Sequence, residues 1–139
     1  MTVSEAIINW LETFSIDSQR KLKCIDTDIQ STTVESYSLV KEPVQNIKTY
    51  ISGKKNYTDY YMIQARLASQ TDSERMENNS FGEALEEWVR KQNNEKVFPV
   101  IEDAMVHGIT VTTPFFMGKT ETNNSIYQMT IAVKYIKEK

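Results

Sequence analysis

The first apolar pattern along the chain is helical. Val3, Ala6, Ile7, Trp10, Leu11 and Phe14 recur at steps of three and four, which lines them along one face of an α-helix. Thr2 and Glu5 have the spacing of a capping box, so the helix is expected to start there. Its apolar stripe reads as a surface docked on the core of its own domain. Periodicity is lost over residues 15–35, where Ser15, Asp17, Ser18, Asp26, Asp28, Ser31, Thr32 and Thr33 predict a loop. Residues 22–25 are a short candidate strand inside it, with Cys24 as a small buried apolar residue.

The pattern then shifts to a period of two. Residues 36–40 predict a short strand, Glu42-Pro43 a break, and residues 44–51 a second strand. Ser52, Gly53, Lys54, Lys55 and Asn56 punctuate a hairpin. Residues 57–68 predict the longest strand of this half. Tyr57, Asp59, Tyr61, Ile63, Ala65 and Leu67 share one face, and Tyr60, Met62, Gln64 and Arg66 the other. One face on the core and one semi-exposed is the arrangement this alternation implies.

A polar link over residues 69–79 follows, with residues 72–78 compatible with an extra helical turn. Ser80 and Glu83 form another capping-box pattern, and Phe81, Ala84, Leu85, Trp88 and Val89 repeat the helical stripe. Glu83, Glu86 and Glu87 precede Arg90 and Lys91, the order a helix dipole favours, and Asn93-Asn94 is expected to end the helix. The last part reads as a second hairpin. Ile109, Val111 and Thr113 alternate, Pro114 interrupts, and Phe115, Phe116 and Met117 resume. Gly118, Lys119, Thr120, Glu121, Thr122, Asn123 and Asn124 form a polar connection. Residues 125–136 close the chain with Tyr127, Met129, Ile131, Val133 and Tyr135 on one face. The order α-β-β-β-α-β-β predicts one α+β domain over residues 1–139. Its mainly antiparallel sheet carries two amphipathic helices on one face, with Trp10, Phe14, Phe81, Leu85 and Trp88 in the core.

Composition narrows the function. The 139 residues carry a net charge of −3, which gives no global case for a nucleic-acid binder. One cysteine excludes an internal disulfide, and no window approaches a membrane span. The start of the chain lacks the basic residues of a signal peptide. No catalytic set emerges: His107 is the only histidine, and no sequence neighbour pairs it with a serine or with Cys24. Asp17, Asp26 and Asp28 lack the spacing and central glycine of a calcium loop, so no metal or cofactor is expected. Gly53-Lys54 lacks the earlier glycine of a phosphate loop, since position 48 is Lys48. Lys48, Tyr50, Lys54, Lys55, Tyr57 and Arg66 alternate basic and aromatic character, as a single-strand nucleic-acid platform would. Tyrosines gathered in strands suit subunit packing better.

A family likeness lies in the order of motifs. Tyr37-Ser38-Leu39-Val40 and Glu42-Pro43 come first, then Lys48-Thr49-Tyr50-Ile51-Ser52-Gly53 and Tyr60-Tyr61-Met62-Ile63-Gln64-Ala65-Arg66. Asn79-Ser80-Phe81, Glu83-Ala84-Leu85-Glu86-Glu87-Trp88 and Tyr127-Gln128-Met129-Thr130-Ile131 follow. This succession, with the N-terminal amphipathic helix, resembles the tail terminator or minor capsid (tail completion, collar) proteins of Gram-positive phages and phage-tail-like particles. The resemblance implies a non-enzymatic subunit of a hexameric ring that caps the tail tube, stops its polymerisation and joins it to the head connector or, in contractile particles, the sheath. It implies assembly in the host cytoplasm into a virion or bacteriocin, and a ring that leaves room for DNA. The two hairpin connections, Ser52 to Asn56 and Gly118 to Asn124, are the expected subunit or partner contacts. The competing reading is a small adaptor or inhibitor module acting through its exposed sheet face.

Overall fold

A computed structural model describes residues 3–16, 20–21, 26–27, 36–120 and 124–138. Among these, α1 spans Val3–Leu11 and three two-residue strands follow: β1 (Ser15–Ile16), β2 (Arg20–Lys21) and β3 (Asp26–Thr27). The long elements are β4 (Ser36–Thr49), β5 (Lys54–Ala68), α2 (Asp72–Glu95), β6 (Met105–Thr120) and β7 (Asn124–Glu138). The expected α+β architecture is present. The main sheet has the order β3-β4-β5-β7-β6 and is antiparallel except for β3, which runs parallel to β4 at Ser38 and Leu39. β1 and β2 form a separate antiparallel pair. The expected Thr2 cap, the candidate strand at 22–25 and Cys24 lie outside the described residues.

The period-two reading fixes the layers. β5 and β7 pair along their whole lengths, setting Tyr61 opposite Ile131, Ile63 opposite Met129 and Ala65 opposite Tyr127. All six side chains are buried, and Tyr37 and Leu39 of β4 extend the same face. Both helices cover this face. Phe81 of α2 meets Tyr37 at 6.0 Å between ring centroids, and Trp10 of α1 meets Trp88 of α2 at 4.6 Å. Phe14 sits edge-on to both Phe81 and Trp88. The five proposed core residues therefore meet in one cluster, with only Trp88 half-buried.

Several boundaries differ from expectation. α2 begins at Asp72, not Ser80. Thr71 is its N-cap: Thr71 Oγ1 accepts from Glu74 N at 3.1 Å, and Thr71 N donates to Glu74 Oε1 at 3.0 Å. Ser80 and Glu83 lie inside the helix. The polar link shrinks to three residues, and the helix-compatible stretch 72–78 is continuous with the rest. Asn78, buried in this added part, donates to Ala68 O at 2.7 Å and ties the helix to the end of β5. At the other end α2 runs past Asn93-Asn94 to a left-handed Lys96 (φ 59°), and its last turn carries no basic residue. Asn93 serves elsewhere: its Oδ1 accepts from Ile109 N of β6 at 3.0 Å.

Neither proline ends a strand. Pro43 lies within a register shift between Lys41 and Gln45 of β4, and Pro114 within one between Thr113 and Phe116 of β6. A bulge removes a residue from the ladder, so the missing N–H costs nothing there. β6 also stays close to α2. Phe115 N donates to Glu86 Oε1, and the Phe115 ring stacks on Tyr127 (5.4 Å, 11°). Gly82 makes that approach possible, because a Cβ there would lie 2.5 Å from Phe115 Cγ. A glycine inside a helix costs about 1 kcal/mol relative to alanine, and here it makes room for an aromatic ring.

Candidate interaction surfaces

The two expected contact clusters occupy opposite ends of the sheet. The β4–β5 turn holds Tyr50 to Gly53, closed by Gly53 N donating to Tyr50 O at 3.0 Å and Tyr50 N donating to Lys54 O at 2.9 Å. Gly53 adopts φ 92°, a conformation that other residues rarely take. Only Ser52 and Gly53 of the expected tip lie in the turn. Lys54, Lys55 and Asn56 are already in β5, opposite Glu138, Lys137 and Ile136 of β7, because the ladder continues almost to the turn. At the far end Ala68 faces Asn124. At ~3.3 Å per residue, the fourteen steps from Lys54 to Ala68 put the clusters ~45 Å apart.

In the second cluster Gly118, Lys119 and Thr120 belong to β6 and Asn124 to β7, so the expected connection is shorter than its pattern suggested. Residues 121–123 of that expected contact (Glu121, Thr122, Asn123) lie outside the described residues. Gly118 packs against Gln128, Lys119 and Thr120 are exposed, and Asn124 Oδ1 accepts from Arg66 Nη1 at 2.7 Å.

The basic and aromatic set does not form one platform. Tyr57 lies on the helix side, stacked on Tyr135 at 5.2 Å with the Lys137 ammonium 5.7 Å from its centroid. Arg66 lies on the opposite face and is nearly buried. The odd and even positions of β5 separate them. His107 is exposed and pairs through Nε2 with Asn56 Oδ1 at 3.0 Å. Among the described residues no three His, Cys, Asp or Glu side chains gather as a metal site, and no helix is long and apolar enough to cross a membrane.

One polar network is enclosed within this end of the sheet. Asp59 is buried on the helix side, accepting from Tyr135 Oη at 2.8 Å and from Gln45 Nε2 at 2.5 Å. Burial, and then donation to Asp59, push the Tyr135 hydroxyl well above the usual tyrosine range.

Sequence patterning missed the apolar character of the first cluster. Val44, Ile47, Tyr50 and Ile51 are all exposed, and Ile51 wholly so. Ile47 lies opposite Tyr57, on the face that the helices cover only nearer the middle of the sheet. A period-two stretch beyond a proline bulge is the signal that could have revealed a strand outrunning its core. Also unforeseen is an apolar groove of about 570 Å³ between α1 and the segment after α2, lined by Trp10, Val97, Phe98 and Val100 among others. Comparison with protein-family models and with curated protein sequences finds no match for the chain.

Proposed function

We propose that this chain is a structural, ring-forming subunit of a phage tail or phage-tail-like particle, closing the upper end of the tail tube. The observation that carries the reading is the exposed apolar β4–β5 hairpin, at one end of a sheet whose middle is closed by helices. A subunit that meets neighbours needs such surface outside its own core, and soluble monomers seldom leave it uncovered. The order of motifs, which resembles that of tail terminators, supports the same reading. In it, unlike patches on successive copies meet and the rotation closes into a ring. Tube growth stops because the ring's outer face does not copy the docking surface of the tube.

The test is Lys54→Glu with Lys55→Glu, introduced into cells that make the whole particle. Loss of particles, or of control over tail length, is expected. Particles of normal length and yield would refute the role of this hairpin. Purified particles whose upper end lacks this polypeptide, seen by electron microscopy with a specific antibody, would refute the function itself.

A further inference from the structure

The bulge at Pro43 divides β4 into two halves that are held in different ways. It sets three residues, Glu42 to Val44, against Tyr60 alone of β5. Before it, Tyr37, Ser38 and Leu39 are buried, and β3 pairs with Ser38 and Leu39 on the outer side. Beyond it, every residue from Val44 to Ser52 is exposed, and none belongs to the buried core. Backbone pairing with β5 still runs from Gln45 to Thr49. Among the described residues, two side-chain hydrogen bonds lead out of this stretch. Gln45 Nε2 donates to Asp59 Oδ1, and Asn46 Nδ2 donates to Tyr60 Oη at 3.2 Å. The second is exposed to water, which competes for both partners. The first reaches a buried carboxyl group that has one other side-chain donor, Tyr135. A buried polar group needs its acceptor sites filled, so this bond carries more weight.

β5 does not depend on the outer half of β4 for its place. It pairs with β7 from Lys54 to Ala68, the Tyr135 hydroxyl donates to Asp59 at 2.8 Å, and Tyr57 stacks on the Tyr135 ring. Residues 44–52 can therefore leave while β5 and the core stay where they are. Each end of the stretch has a joint. Pro43 lies in the bulge, outside the regular ladder, and Gly53 takes the φ of 92° that closes the turn.

We propose that residues 44–52 are a hinged strap that lifts off β5 as a unit, and that Gln45 on Asp59 is its latch. Such an opening costs less than unfolding the domain, because it gives up backbone bonds at an exposed edge and no core contacts. In the lifted form water replaces Gln45 at Asp59, and the margin of β5 from Lys55 to Asp59 is uncovered. Val44, Ile47, Tyr50 and Ile51 travel with the strap. The apolar surface that the ring reading places against a neighbour is thus carried on a moving part. The inference concerns a single copy and does not rest on that reading.

Native-state hydrogen exchange of the full-length chain, read by NMR in urea below the unfolding transition, is the test. The reporters are the β4 amides bonded to β5, among them Tyr50 N–H, which donates to Lys54 O. Amides of β7 beside the buried Met129 and Ile131 serve for comparison. In wild type the strap amides are expected to exchange at least about ten-fold faster than those of β7, with little dependence on urea. Gln45→Ala, at an exposed position, should speed strap exchange about ten-fold, and Asn46→Ala by less than about three-fold. Leu85→Ala weakens the core, so it should speed exchange in β7 and leave the strap unchanged. Strap amides that share the urea dependence of β7, or that Leu85→Ala speeds as much as those of β7, would show that the strap opens only with the whole fold. Either result overturns the inference, as does Gln45→Ala with wild-type exchange in the strap. Particles of normal length from Lys54→Glu with Lys55→Glu would sink the hairpin contact of the ring reading and leave the strap standing.

Discussion

Replacing Gly82 with alanine is the sharpest test of how α2 meets β6. In an exposed helix the change would stabilise by about 1 kcal/mol, because alanine is the better helix former. Here the new methyl would collide with Phe115 Cδ1 and lie 2.5 Å from Cγ and 2.8 Å from Cε1. The ring has little freedom to yield. It stacks on Tyr127, meets Phe81 edge-on at 5.9 Å, and its own backbone N–H is held by Glu86. Overpacking of this kind costs about 1–3 kcal/mol, and a strained or broken Glu86 bond adds about 1 kcal/mol. The net expectation is a loss of about 1–3 kcal/mol. For a chain of 139 residues this lowers the melting temperature by about 3–10 °C. Urea unfolding followed by circular dichroism measures it, with an unchanged m-value showing that the native state remains compact. The second arm of the experiment removes the ring. In a Phe115→Ala background the same Gly82→Ala change should become neutral or stabilising by up to about 1 kcal/mol, giving a double-mutant coupling of about 1–4 kcal/mol. Gly82→Ala as stable as wild type in the original background would refute the close-approach argument.

Other perturbations follow from the same geometry. Tyr135 is neutral in the fold to higher pH than in the unfolded chain, so its contribution is complete below about pH 10 and declines as pH rises above that. Wild type should lose stability more steeply than Tyr135→Phe between pH 10 and 11, by up to about 1.4 kcal/mol per unit, and parallel urea midpoints would contradict this. Thr71→Ala should cost about 0.5–2 kcal/mol, and Ser80→Ala, exposed in mid-helix, should cost nothing or stabilise slightly. The reverse ranking in thermal melts would restore the helix start at Ser80. Leu85→Ala, at a site with no exposure, should cost about 2–5 kcal/mol in chemical unfolding. A loss below 1 kcal/mol would mean that α2 does not press on the sheet as described.

The sheet was readable from sequence where burial on one face imposes strict alternation. The odd positions of β5 and β7 face the helices because one slipped residue would turn every Tyr, Ile and Met of that face to water. The start of α2 was not readable, because Thr71/Glu74 and Ser80/Glu83 share one local spacing. The earlier start is tied down by a contact between elements, Asn78 to Ala68 O, that neither helical nor strand periodicity foresees. Pro43 and Pro114 read as breaks because local rules do not foresee bulges in strands that continue past them. The turn at Ser52 and Gly53 was legible from residue type. The groove was not, since the residues that close it, Trp10 and Val97, are 87 positions apart.

The grip of α2 on β6 also bears on how this molecule behaves at high concentration. Two backbone N–H groups of that outer strand are spent on Asn93 and Glu86, and four slips in its pairing with β7 leave it crooked. A crooked strand with occupied donors is a poor template for an incoming chain. Among the described residues the β4 border, beyond its short pairing with β3, is therefore the more open edge, and two molecules joined there would have spent the accessible margin of each. Edge-to-edge pairing of folded copies would then stop at the dimer.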